Sequence, residues 1–351
     1  MPRLAWAWMA GTLALFIAGC RGCELPELKK DQDPLVNEDG VDWVMTEHGL
    51  ATLDIDGDGR LDVVGLCATH SLGGPSEGPF SICAFDGVDF RLLWRVGEHA
   101  RETFYATHIA AIGDKVFVVD PLGRAQVLSP KDGSEIAFTQ LSDRAKEICA
   151  EADGAWIFTA DGKGTRFRFE PPTVDPAERP RSCRQPVGGA LQGCLLGRSV
   201  DVDVSLHCAN MPFGEPIEGV MAARYAMKGR RGAVIGTHTP GTGYPVVVAF
   251  HVDEHDTVSI DWQRPLTDDA PLSDGTSQPV GPVVTERHIF IGHGDTIVAL
   301  DPATGKTQWR QPTKSYMTLH ADDQRVYVGR WSRLQIHDAD TGKPFGGIGD
   351  R

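Results

Sequence analysis

Positive charge is scarce in this chain: 34 Lys and Arg stand against 48 Asp and Glu, a formal net charge of −14 at pH 7. Such a surface is repelled by nucleic-acid phosphates and anionic headgroups, which excludes a nucleic-acid partner and electrostatic docking on a membrane. Long apolar runs are also missing, apart from Leu4 to Ile17, and that run is too short to cross a bilayer comfortably. No two cysteines are adjacent, and no cysteine has a histidine partner in sequence that would suit nucleophilic catalysis. Tyrosine numbers only five, which argues against a glycan-binding face, since such faces use exposed aromatics.

The N-terminus reads as a targeting segment, with Arg3 as a short positive region followed by the apolar run. It ends in Ile17-Ala18-Gly19-Cys20, which resembles the lipobox of bacterial lipoproteins. The resemblance implies a signal peptide over residues 1–19 and a lipid on the Cys20 sulfur. Arg21 rather than Asp follows Cys20, which resembles sorting to the outer membrane, on its periplasmic face or the cell surface. Several acyl chains give stable anchoring. Residues 20–42 are polar and short of aromatics, so they are expected to be a lipidated tether, with the folded domain over 43–351.

Seven cysteines remain after Cys20, and in an exported protein most are expected to pair. Cys67 and Cys83 flank the Gly/Pro-rich stretch SLGGPSEGP between two candidate strands, so a bridge clamping that hairpin is expected. Cys149, Cys183, Cys194 and Cys208 allow two more bridges, in any of three connectivities. Cys23 is left over beside the anchor.

One phrase recurs along the chain. In IVALDPATGKTQW (Ile297 to Trp309), an apolar run leads into Asp301, with Gly305 four residues later and Trp309 eight residues later. In AFDGVDFRLLW, Asp86 and Trp94 keep that spacing while Phe90 replaces the Gly. Ser129 and Gly133 make a further copy, as do Asp338 and Gly342, the latter without a Trp. Poorer copies lie around Glu170 and around His251 with Trp262. The alternating apolar residues predict a half-buried strand, the Asp-to-Gly cluster a turn with one left-handed position, and the residues up to the Trp a second strand. A further short strand precedes each copy, such as KVFVVD, HIFIG and RVYVG. Anchors spaced roughly 40 residues apart, except for one interval near twice that between Glu170 and His251, each offering about four strands, describe a propeller blade.

The pattern resembles the PQQ-like β-propeller repeat over roughly Glu47 to Gly347. An all-β fold of six to seven four-stranded blades is therefore expected, with eight as the upper bound. Residues 171–216, rich in Pro, Gly and Cys, read as an insertion or degenerate blade, with one clear strand in SVDVDVSLH. An N-terminal strand such as VDWVM is expected to close the ring against the C-terminal blade, because an open edge invites aggregation. Trp94, Trp262 and Trp309 are expected to pack between blades rather than on a cofactor.

The segment DIDGDGRLD concentrates the chain's chemistry. Asp54, Asp56, Asp58 and Asp62 occupy positions 1, 3, 5 and 9 of a loop, Gly59 position 6, and the Arg60 carbonyl position 7. Alternate oxygens on a tightly turning loop converge on one centre, which suits a hard cation such as Ca2+. The flanks GLATL and LDVVGL read as strands, and Gly65 stands where an EF-hand places its bidentate Glu. The segment resembles the calcium loop of FG-GAP or VCBS repeats, which implies a structural Ca2+ site with no open position for catalysis. His251 and His255 lie on a strand and its turn, where a spacing of four does not bring two rings together. The basic turn GRRG, Gly229 to Gly232, reads as the solvated end of a hairpin.

The repeat's resemblance implies a non-catalytic, lipid-anchored scaffold that binds a protein or peptide partner in the cell envelope, as does the lipoprotein propeller of the outer-membrane assembly machine. A glycan-binding or adhesion propeller is the alternative that the FG-GAP-like loop suggests. PQQ-dependent dehydrogenases resemble longer chains with an adjacent Cys pair over the cofactor, so neither PQQ nor enzymatic activity is expected here.

Overall fold

The computed structural model describes residues 41–44, 48–69, 80–99, 107–151, 153–159, 163–176, 195–196, 206–207, 221–237, 245–255, 258–266, 279–293, 295–313, 318–330 and 333–349. Every regular element among them is a β-strand. The strands form six antiparallel blades from consecutive stretches of chain: 41–99, 108–140, 145–176, 221–265, 280–312 and 318–349. Leu195–Leu196 and Leu206–His207 add a two-stranded pair between blades three and four. The rest of SVDVDVSLH lies outside the described residues, as do residues 1–40 with the lipobox and Cys20.

Several middle strands are buried on both faces, not alternately. Phe80–Phe85, Ile289–His293 and Arg325–Gly329 are buried at every position, and Thr296–Leu300 at all but its first. A blade is covered on both faces by its neighbours, so both sets of side chains leave water, as in sheets with layers on either side. The expectation of a half-buried strand at Ile297 to Leu300 is corrected by this packing. Alternation is clearest on outermost strands such as Thr307–Pro312, where successive residues swing between partly buried and exposed.

Apolar clusters join neighbouring blades. Val64, Ile82 and Ala84 of blade one pack with Val116, Val118 and Leu128 of blade two. Phe117 and Val127 of blade two meet Ile157 and Phe167 of blade three. Ile235 and Val247 of blade four meet Ile289 and Val298 of blade five, and Phe290 and Ile297 of blade five meet Val326 and Val328 of blade six.

Closure differs from the sequence expectation. Val41–Val44 pairs within its own blade, Val41 opposite Thr69 and Val44 opposite Leu66. His48–Leu53 continues along the same edge, with Leu50 opposite Gly65 and Leu53 opposite Asp62. Together they form one broken innermost strand, which starts within the stretch read as tether. Among the described residues, Val41–Val44 pairs with no strand of the C-terminal blade. Side chains close the ring instead: Trp43, Leu50, Val63, Phe85 and Phe90 of blade one pack with Tyr327, Leu334, Ile336 and Ile348 of blade six.

Candidate functional site

Strand alternation sends two kinds of turn to one rim of the propeller, those leaving the innermost strands and those entering the outermost ones. The repeated phrase builds the second kind. In blade five, Asp301 Oδ1 accepts the Ala303 and Thr304 N–H groups at 3.0 and 2.7 Å and the Thr304 hydroxyl at 2.8 Å. Gly305 N–H donates to the Asp301 carbonyl at 2.8 Å with φ +69°, a conformation open to glycine at little cost. A Cβ on Gly305 would lie 2.8 Å from the Trp262 ring of blade four. Trp262 Nε1 donates to the Pro302 carbonyl at 2.9 Å. The Trp of one blade thus lies on the turn of the next.

The same lock recurs twice. Trp309 donates to Ala339 at 2.8 Å over Gly342, and Trp94 to Pro130 at 2.5 Å over Gly133. The expected packing of these three tryptophans between blades is what the structure shows. At the seam between blades six and one, Gly346 stands where the Trp would, and Phe90 where the Gly would. Phe90 keeps the turn, donating its N–H to the Asp86 carbonyl at 3.1 Å with φ +58°. Its own ring is buried in the seam, edge-on to Phe345 at 6.0 Å. Arg325 stacks on Phe345 at 4.6 Å and donates to the Leu61 carbonyl at 3.2 Å, tying blade six to blade one.

The acidic loop joins the first two strands of blade one at this same rim. Carboxylate oxygens of Asp54, Asp56 and Asp58 lie within 4.8 Å of one another, all three residues exposed. Asp54 accepts the N–H groups of Gly57 and Gly59 at 2.8 and 3.0 Å, and both glycines take positive φ, +80° and +84°. Asp58 accepts the N–H of Arg60, which is exposed, at 2.8 Å.

Asp62 does not join this cluster. It is 1 % exposed, and its two oxygens accept the Ile55 and Gly87 N–H groups at 2.7 Å each. Burial pushes its carboxyl above the usual range, against the pull of those two N–H groups. Asp62, the expected ninth-position ligand, ties the loop to the Gly87 turn, whose buried donor must be satisfied.

Cys67 and Cys83 form a disulfide with Cα atoms 5.9 Å apart. Cys67 stands opposite Ser81 and Cys83 opposite Gly65, so the bridge crosses the hairpin diagonally. Cys149 is disulfide-bonded too. Cys183, Cys194 and Cys208 lie outside them. His251 pairs with Asp261 at 2.6 Å while His255 faces Glu254 at 3.6 Å, so the two rings have separate partners.

A cavity of about 330 Å3 opens where the innermost strands of blades one, four, five and six converge. Thr52, Lys228, Thr285, His320, Asp322 and Asp323 supply its polar lining. These positions lie at or just past the ends of their strands, at the rim that carries the acidic loop. No pattern in the sequence points to this cavity, since its residues come from four distant segments and belong to no motif.

The family model described as outer membrane protein assembly factor BamB matches residues 252–345, from blade four through most of blade six. No curated protein matches. Among solved structures, BamB from Moraxella catarrhalis is 20% identical over 85% of this chain and 83% of that one, with a TM-score of 0.41. The computationally designed Ika8 protein is 12% identical over 90% of each chain, with a TM-score of 0.42. The β-propeller domain of Cps50 (Swd1) from Myceliophteria thermophila is 7% identical, covering 85% of this chain and 99% of that one, with a TM-score of 0.50. That last likeness is one of fold alone. Topology and repeat agree, and the chain is an all-β propeller carrying PQQ-like repeats.

Proposed function

We propose that this chain is a non-catalytic propeller that docks a protein or peptide partner in the cell envelope, anchored to a bacterial outer membrane through lipid on Cys20. One observation carries the reading. The recurring Asp and Gly are consumed in shaping the turn and the Trp in locking it to the next blade, so these residues have structural work to do. Binding is left to the turns of one rim and the cavity among the innermost strands. The match of residues 252–345 to an outer-membrane assembly factor family supports the same reading, as does the lipobox. Capture from membranes expressing either the wild type or Cys20→Ala tests it. A protein partner enriched over an unrelated propeller lipoprotein, and lost with the anchor, is the expected result; no specific enrichment overturns the reading.

The acidic loop belongs to the same proposal as a structural Ca2+ site. Asp54, Asp56 and Asp58 would hold the ion with the Arg60 carbonyl and Asp62 as the ninth-position ligand, and the residues fit: three exposed carboxylates converge on a loop turned by two left-handed glycines. The ion supplies the positive charge that three converging carboxylates lack. A cation bound only to the folded chain stabilises it by about 2.7 kcal/mol at a hundredfold excess over Kd. EGTA is therefore expected to lower Tm by several degrees, and Asp56→Ala to remove the dependence. A melting curve unchanged by chelation removes the ion from the proposal.

A further inference from the structure

We infer that the cavity among the innermost strands binds a free basic α-amino acid, of the arginine or lysine class. The inference goes beyond the scaffold reading and does not depend on it.

The cavity keeps its charges of opposite sign apart. Lys228 ends the innermost strand of blade four, and Asp322 and Asp323 directly follow that of blade six. The innermost strand of blade five, with Val283 and Val284, packs against both and runs between them. Among the described residues Lys228 has no acidic partner and neither aspartate has a cationic one.

Hydrogen bonds hold the two carboxylates in place without neutralising them. Asp322 accepts the backbone N–H groups of Gln324 and Arg325 and the Tyr327 hydroxyl, each at 2.8 Å. Asp323 accepts the Glu286 backbone N–H at 3.1 Å. All these donors are uncharged, so the lining sets two carboxylates against one ammonium and is left with one negative charge in surplus. A ligand that answers all three groups carries one carboxylate and two cations. That is the charge pattern of arginine and lysine at neutral pH. A neutral amino acid leaves one aspartate unanswered, and a diamine sets a like charge against Lys228.

The rest of the wall suits the stem of such a ligand. Val283 and Val284 give an apolar surface between the two charged sides, on which the methylenes of a basic side chain can lie. His320 lines the same cavity; its ring touches Tyr327, 6.1 Å between centroids, and makes no hydrogen bond among the described residues. Burial keeps it neutral, with its pKa lowered to about 4, so one ring nitrogen is an acceptor for an ammonium or guanidinium N–H. A volume of about 330 Å3 lies at the small end of ligand pockets, which suits one amino acid better than a length of peptide.

Calorimetric titration of the full-length protein with L-arginine tests the inference, beside three relatives that each lack one charge. Citrulline lacks the guanidinium, agmatine the carboxylate and Nα-acetylarginine the α-ammonium. Arginine is expected to bind, and each of the three at least tenfold more weakly. Lys228→Met is expected to weaken arginine at least tenfold while agmatine binds no worse, because agmatine has no carboxylate for Lys228 to hold. Lys228 is exposed, so its variant is expected to fold, and an unchanged Tm checks this. Asp323→Asn, which still accepts the Glu286 N–H, is expected to weaken arginine and agmatine alike. No arginine binding at millimolar concentration overturns the inference, as does citrulline or agmatine binding as tightly as arginine. An equal loss of arginine and agmatine in Lys228→Met overturns it too. So does Nα-acetylarginine binding as tightly as arginine, which would make the ligand the basic C-terminal residue of a peptide.

Discussion

Trp309→Ala is expected to cost roughly 3 kcal/mol of folding stability, at the low end for aromatic truncation because the ring is only partly buried. The Trp309 ring sits 5.8 Å from Phe290 and covers Gly342, and its N–H reaches Ala339 at 2.8 Å. Removing it empties the joint between blades five and six. Trp309→Phe separates the two contributions: it keeps most of the ring and loses the hydrogen bond, worth about 1 kcal/mol. Gly342→Ala attacks the same joint from the other side, since its Cβ would come 2.5 Å from the ring at φ +68°. Urea denaturation of the three variants measures this. If Trp309→Ala lost less than about 1 kcal/mol, or if Gly342→Ala were neutral, the joint would not be what holds these blades together.

The second large effect is a loss of stability in mild acid. His288, His320 and His337 are pushed below the ordinary histidine pKa of 6.5, in each case chiefly by burial; His320 reaches about 4. The charge of Asp340 opposes the shift at His288, that of Asp322 at His320, and the Gly342 carbonyl at His337. The folded state thus resists protons that the unfolded chain accepts. Stability is full above pH 6.5 and is lost as pH falls from there toward 4. At about 1.4 kcal/mol per pKa unit, His320 alone accounts for roughly 3 kcal/mol of that loss. Below the ordinary carboxylate value of 3.8, Asp301 and Asp338 add to it, since hydrogen bonds from Thr304 and Thr341 hold their carboxyls low. Denaturation curves at pH 7.5 and 4.5 measure the effect, and His320→Gln is expected to flatten it. Equal stability at the two pH values would mean that these rings are hydrated in the folded state.

The turn chemistry was legible because it is local. Asp301, Thr304 and Gly305 contact one another within five residues, so spacing alone states the hydrogen bonds and the left-handed position. Asp54, Asp56 and Asp58 converge for the same reason, and Cys67 with Cys83 could be matched because they flank one hairpin. The bond from Gly87 to Asp62 could not be read, because Gly87 belongs to another turn of the blade. The loss of Gly at Phe90 and of Trp after Asp338 could be seen in the sequence, but as decay of the repeat. In the fold they are two halves of one substitution, a Phe on the turn filling the joint where no Trp arrives.

Sequence by itself determined the blade: its strands, its turns, its acidic loop and the residues that bind it to the next, all encoded in short-range spacing. Tertiary structure decided how the ring closes and what lies at its centre. Blades one and six meet through side chains, with Arg325 reaching Leu61 across most of the chain. The cavity takes Thr52, Lys228, Thr285 and His320 from four separate blades. Neither arrangement has a period, and a contact between distant residues leaves no spacing along the chain to read.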